Sequence, residues 1–158
     1  MRVYIESTIP SYLVARPARD LLQAARQQLT RDWWEGKRHA HELFTSQMVL
    51  DEISDGEAAM AHLRCEKIED LPLLEATPEA EALAILILGS GLLPTTADSD
   101  AAHIALATVH RLDILLTWNC RHIANAAIQT RLRRLVENAD FTLPAICTPE
   151  EFLEDDYG

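Results

Sequence analysis

The stretch from Thr96 to Asn125, TADSDAAHIALATVHRLDILLTWNCRHIAN, constrains the fold more than any other part of the chain. Ala101, Ala102, Ile104, Ala105, Leu106, Ala107 and Val109 are apolar nearly all round, which predicts a well-buried helix. Asp98 stands where an N-cap belongs, with Asp100 in the first turn. Arg111-Leu112-Asp113 then turns the chain into Ile114-Leu115-Leu116-Thr117, an unbroken apolar run typical of a parallel strand covered on both faces. The run stops at Trp118-Asn119. Ligands of open parallel sheets bind beyond the carboxyl ends of the strands, so Asn119 falls where a site is expected. The helix start carrying Asp100 is expected to lie beside Asn119.

The remaining segments alternate in the same way. Arg2 to Glu6 reads as a first strand, apolar until its last residue, followed by Ser7 and Thr8 with hydroxyls suited to capping and Pro10 suited to a first helical turn. A brief helix through Tyr12 to Val14 is expected to end near Arg16-Pro17, and Asp20 to Trp34 has helical spacing. Glu42 to Thr45 is a second strand, leading through Ser46-Gln47 into a short helix over Met48 to Ile53. Glu57 to Lys67 reads as helix, Leu71 to Leu74 as a third strand, and Thr77-Pro78-Glu79 as a strong helix start running to Gly89. Ala126 to Asn138 is amphipathic, Ala145 to Cys147 is a last strand, and Thr148-Pro149-Glu150 opens a terminal helical turn. Strands alternating with helices predict an α/β fold with a largely parallel sheet. Residues 1–158 read as one domain with an acidic tail from about Glu150 to Asp156.

A net charge of −11 argues against a sequence-indifferent nucleic-acid coat, which relies on Lys and Arg to neutralise phosphates. It leaves room for an enzyme whose carboxylates hold a metal. No apolar run is long enough to span a bilayer and no signal segment opens the chain, so no membrane partner is expected. Cys65, Cys120 and Cys147 are odd in number and lack a CxxC pair, which predicts reduced thiols and a cytoplasmic protein.

Four polar residues fall at strand ends or at the helix starts just beyond them: Glu6, Glu52, Asp100 and Asn119. Three carboxylates brought together repel one another unless a cation or protons compensate. Hard oxygen donors without a matching His or Cys set favour Mg²⁺ or Mn²⁺ over zinc. Such an ion polarises a phosphoryl oxygen and lowers the pKa of bound water, which is phosphodiester hydrolysis chemistry. Each residue also has a plain structural reading: a solvated strand end for Glu6, a helix surface for Glu52, helix capping and dipole for Asp98 and Asp100, a turn for Asn119. Arg121 and His122 are candidate phosphate contacts or a solvated turn. Trp33, Trp34 and Trp118 read as core rather than base-stacking platforms, and Arg131, Arg133 and Arg134 as a solvated helix face. Cys120 with His122 lacks a third member to orient the imidazole, which disfavours a thiolate nucleophile.

The order and wording of these elements resemble the PIN-domain family, especially the VapC-type ribonuclease toxins of bacterial toxin–antitoxin pairs. VYIESTIPSYL resembles the family's opening strand, TSQMVLDEIS its second motif, DAAHIALA its third, LLTWNCRHIAN its fourth and ICTPEEFL its last strand. The resemblance implies a three-layer α/β/α fold with a central, mostly parallel sheet of about five strands. It implies a divalent-metal-dependent endoribonuclease acting on RNA, with Glu6 and Asp100 as metal ligands and Glu52 and Asn119 positioning metal-bound waters. Ser7, Thr8 and Thr117 become hydroxyls that orient carboxylates or phosphate. Family habit adds a homodimer and a small antitoxin whose basic segment enters the acidic groove.

Two departures from the family pattern matter. Glu6 replaces the usual Asp and pushes the carboxylate outward by about 1.5 Å, and catalysis can fall about 100-fold for a 1 Å misplacement. Asn119 occupies a position that is Asp or Asn and removes one negative charge. They motivate an alternative, a catalytically weak or inactive module that binds RNA or a protein partner. A phosphatase with an Asp nucleophile after strand one expects Asp-x-Asp there, and Glu6-Ser7-Thr8 does not supply it.

Overall fold

Two short apolar strands form the centre of the fold. In the computed structural model, which describes residues 1–154, β1 (Arg2–Ile5) pairs in parallel with β4 (Ile114–Leu116), Val3 opposite Ile114 and Ile5 opposite Leu116. Val3, Tyr4, Ile5, Leu115 and Leu116 are fully buried, as strands covered on both faces require. β2 (Glu42–Ser46) pairs with the other edge of β1, β3 (Leu73–Leu74) with β2, and β5 (Ala145–Cys147) with β4. All four pairings are parallel, giving a five-stranded sheet in the order β3-β2-β1-β4-β5. The expected α/β class and parallel sheet are therefore present. β3 is shorter than the Leu71–Leu74 run because Pro72 has no N–H for the ladder, although its carbonyl still accepts from Thr45 N at 3.0 Å.

The helices follow from the strand order. α1 (Thr8–Val14) and α2 (Leu21–Gly36) connect β1 to β2, with a short 3₁₀ turn at Arg38–Ala40, and α3 (Gln47–Ile53) and α4 (Ala58–Ile68) connect β2 to β3. The chain then reverses: α5 (Pro78–Gly89) and α6 (Asp98–Val109) lead back to β4, and α7 (Ala126–Asn138) leads on to β5. Right-handed crossovers put the first group on one face of the sheet and the second on the other. The packing agrees, with α1 against α2 and α4, and α5 against α6 and α7, in three α/β/α layers. Because the chain leaves β1 and β4 toward opposite faces, the switch point at which such sheets place their ligand crevice lies between the carboxyl ends of these strands.

Helix termini show which sequence signals carried through. Asp20, Ser46, Thr77 and Asn125 each accept a backbone N–H at the start of α2, α3, α5 and α7. Asp98 does not cap α6: the N-cap is Ala97, without a side-chain bond, and Asp98 is the first helical residue and exposed. A carboxylate inside the helix favours the dipole but does not replace the cap. The helical start expected at Thr148-Pro149-Glu150 is present: α8 (Pro149–Glu154) packs on α2 and buries Phe152, while residues 155–158 of the acidic tail lie outside the described residues. Among the described residues no helix is long and apolar enough to cross a membrane.

α6 ends in a paired closure, Arg111 N to Thr108 O at 3.1 Å and Leu112 N to Ala107 O at 3.0 Å, which forces Arg111 to φ 58°. A side chain there is strained where glycine is not. Arg111→Gly is expected to raise stability by about 1 kcal/mol in urea unfolding, and an unchanged or lower midpoint would show that the αL position carries no strain.

Candidate active site at the carboxyl ends of the central strands

Glu6 follows β1 and stands in the crevice, only 4% exposed. Its Oε2 accepts three hydrogen bonds, from Thr8 N (3.0 Å), Thr8 Oγ1 (2.5 Å) and Thr117 Oγ1 (2.8 Å). The Thr8 N–H belongs to the first turn of α1, so Glu6 performs the capping expected of Ser7 and Thr8. Ser7 stands at the N-cap without capping, and its hydroxyl goes to Glu52 instead. The hydroxyls are reused again: Thr8 Oγ1 accepts from Trp118 N at 2.8 Å and Thr117 Oγ1 from Asn119 N at 2.9 Å, stitching β1 to the exit of β4. The additional methylene of Glu, compared with Asp, gives Oε2 the length to fold back onto all three donors.

Asp100 enters from the first turn of α6. Its Oδ1 accepts from Asn119 Nδ2 at 3.0 Å, and its Oδ2 lies 2.7 Å from His122 Nδ1. Asn119 Oδ1 in turn accepts from His122 N at 3.1 Å. An amide at this position therefore has a physical reason: it donates to Asp100, whereas a carboxylate would repel it.

Glu52, on α3, is 37% exposed at its side chain yet fully engaged. Oε1 accepts from Ser7 Oγ (3.1 Å) and pairs with His103 Nε2 (2.5 Å), and Oε2 accepts from Ser99 Oγ (3.1 Å). Burial works to raise its carboxyl, but the hydrogen bonds of His103, Ser7 and Ser99 outweigh it and hold it below the usual carboxylate range. His103 is completely buried one turn beyond Asp100 on α6, and its Nδ1 lies 2.7 Å from the Tyr4 hydroxyl. Tyr4 bonds Ser46 Oγ at 2.8 Å, and Ser46 also caps α3. Burial foremost pushes the Tyr4 hydroxyl far above the usual phenol range, with the Glu6 and Glu52 charges adding to it against the opposing Ser46 bond.

Glu6, Glu52, Asp100 and Asn119 thus belong to one closed circuit. Glu6 is held by Thr117, Thr117 by Asn119 and Asn119 by Asp100, while Ser99 beside Asp100 and Ser7 beside Glu6 both donate to Glu52. Among the described residues no group of three or more His, Cys, Asp or Glu is gathered closely enough to form a ready-made metal cage. Sequence reasoning missed His103, Tyr4, Ser46 and Ser99. The available signal was His103 at i+3 from Asp100, a polar residue in an otherwise apolar helix. His122 joins the circuit through Asp100 and Asn119. Arg121, Arg131, Arg133 and Arg134 are exposed; Trp33, Trp34 and Trp118 are buried; Cys120 is exposed.

No protein-family model matches the chain, and comparison with curated proteins and with solved structures gives no match.

A carboxyl held low in the fold stabilises the folded state above its unfolded value of about 4.3, and that contribution is lost as pH falls through the lower folded value. The urea midpoint of the wild type is expected to exceed that of Glu52→Gln by a constant margin from pH 5 to 7, shrinking below pH 4. A margin that grows on acidification would mean that Glu52 is not held as the anion.

Proposed function

We propose that this chain is a divalent-metal-dependent endoribonuclease of the PIN-domain type, the toxin of a type II toxin–antitoxin pair. The observation that carries the reading is the circuit joining Glu6, Glu52, Asp100 and Asn119 beside the switch point of a parallel sheet. The donor chemistry fits Mg²⁺ or Mn²⁺. Every candidate ligand is an oxygen, and no Lys or Arg among the described residues pairs with Glu6, Glu52 or Asp100. Mg²⁺ is commonly held by one or two carboxylates with waters and substrate phosphate, so a protein cage of three ligands is not required.

In this reading Glu6 and Asp100 hold the ion, which when bound polarises the scissile phosphoryl group and acidifies water. Glu52, kept anionic, takes a proton from the water that attacks phosphorus, as the bond to the departing ribose oxygen breaks. Asn119 holds Asp100 in its rotamer, and Thr8 and Thr117 hold Glu6. Arg121, exposed just beyond Asn119, is available to an incoming phosphate. The reading brings with it a homodimer and a small antitoxin with a basic segment suited to an acidic partner.

One observation favours a second reading, a non-catalytic RNA- or protein-binding module. Both oxygens of Asp100 already have partners, Asn119 and His122, and an ion has to compete with the second. A ribonuclease assay with Mg²⁺, Mn²⁺ and chelator separates the two. Metal-dependent cleavage that falls at least about 100-fold in Asp100→Asn is expected; RNA binding without cleavage in either metal, or cleavage indifferent to the substitution, would favour the module.

A further inference from the structure

His103 is the one histidine of the described residues with no accessible surface, and both of its ring nitrogens are engaged. Its neighbours fix where the protons lie. Ser46 Oγ already accepts Val49 N–H, so its own hydrogen is free for the Tyr4 oxygen. Tyr4 keeps its proton in this buried position and has one hydrogen to give, which goes to His103 Nδ1. The ring then carries its hydrogen on Nε2 and donates it to Glu52 Oε1. Reversing the chain makes Ser46 Oγ accept from both Val49 N and Tyr4 and leaves its own hydrogen without an acceptor in a buried position, which is costly.

We propose that His103 is a positioning residue for the reaction, held by Tyr4 in the Nε2–H tautomer so that Glu52 stays aimed and anionic in front of the attacking water. The inference rests on the reading of Glu52 as proton acceptor. Its physical basis is that Glu52 sits on a seven-residue helix with more than a third of its side chain in solvent. Ser7 and Ser99 reach it from a strand exit and a helix start. His103 ties it to the central strand β1 through Tyr4 and to the cap of α3 through Ser46. This is the arrangement by which a hydrogen bond on one ring nitrogen sets what the other nitrogen does.

Long-range ¹H–¹⁵N NMR of the whole chain reads the tautomer without any activity. The Nε2–H form is expected in the wild type, and Tyr4→Phe, which keeps the ring and removes the hydroxyl, is expected to mix in the Nδ1–H form. An Nδ1–H or doubly protonated ring in the wild type, or a tautomer unmoved by Tyr4→Phe, would overturn the proposal. The kinetic arm uses RNA cleavage in Mn²⁺. His103→Leu is expected to lower kcat about 10–100-fold with KM unchanged, and His103→Gln, which restores a donor near the Nε2 position, to recover part of that loss. A loss that follows the urea midpoints of the two variants, or that Gln does not relieve at all, would mean a purely structural histidine and would also overturn it. Absence of cleavage in the wild type would sink the nuclease reading, and the NMR result would still decide the tautomer lock.

Discussion

Glu6 Oε2 and its three donors are the point on which the rest of the architecture turns. A buried carboxylate loses its hydration, and here a backbone N–H and two threonine hydroxyls replace it. Those donors belong to α1 and to the exit of β4, so satisfying the charge also fixes the two chain segments that diverge at the switch point. The replacement is made by neutral groups. Neither Lys nor Arg among the described residues pairs with Glu6, so its carboxylate is held by neutral donors alone.

The same economy runs through Glu52 and Asp100. Glu52 is held by two hydroxyls and an imidazole and Asp100 by an amide and an imidazole, groups that fix a carboxylate in one rotamer without the forked pairing of an arginine. In a chain whose net charge is −11, linking three carboxylates through one hydrogen-bond circuit adds to an already unfavourable field. The dense hydrogen bonding offsets part of that cost, and a bound divalent ion would offset more.

The sequence was most legible where a signal was local. The boundaries of α7 and β5 follow from amphipathic spacing with an Asn cap and from a short apolar run, and Thr77-Pro78-Glu79 starts α5 as its chemistry requires. Glu6, Glu52, Asp100 and Asn119 were readable as strand-end and helix-start residues because a parallel sheet gathers such positions. Asp98 misled because a cap depends on one residue's backbone angles, and the turn before α6 puts Ala97 there. The hydroxyls of Ser7 and Thr8 misled for a related reason: carboxylates outcompete the helix for them, Glu52 for Ser7 and Glu6 for Thr8. His103 and Tyr4 stayed hidden because their partnership spans 99 residues and crosses from α6 to β1, a contact that no local periodicity encodes.

The central claim is that the crevice keeps uncancelled carboxylates fit for a divalent ion. Anomalous diffraction from crystals grown in Mn²⁺ tests it most directly. The account expects one dominant manganese peak bonded to oxygens of Glu6 and Asp100, with His122 displaced from Asp100. A saturating Mn²⁺ soak that leaves the crevice without a peak, or places the ion on acids elsewhere on the surface, would contradict it.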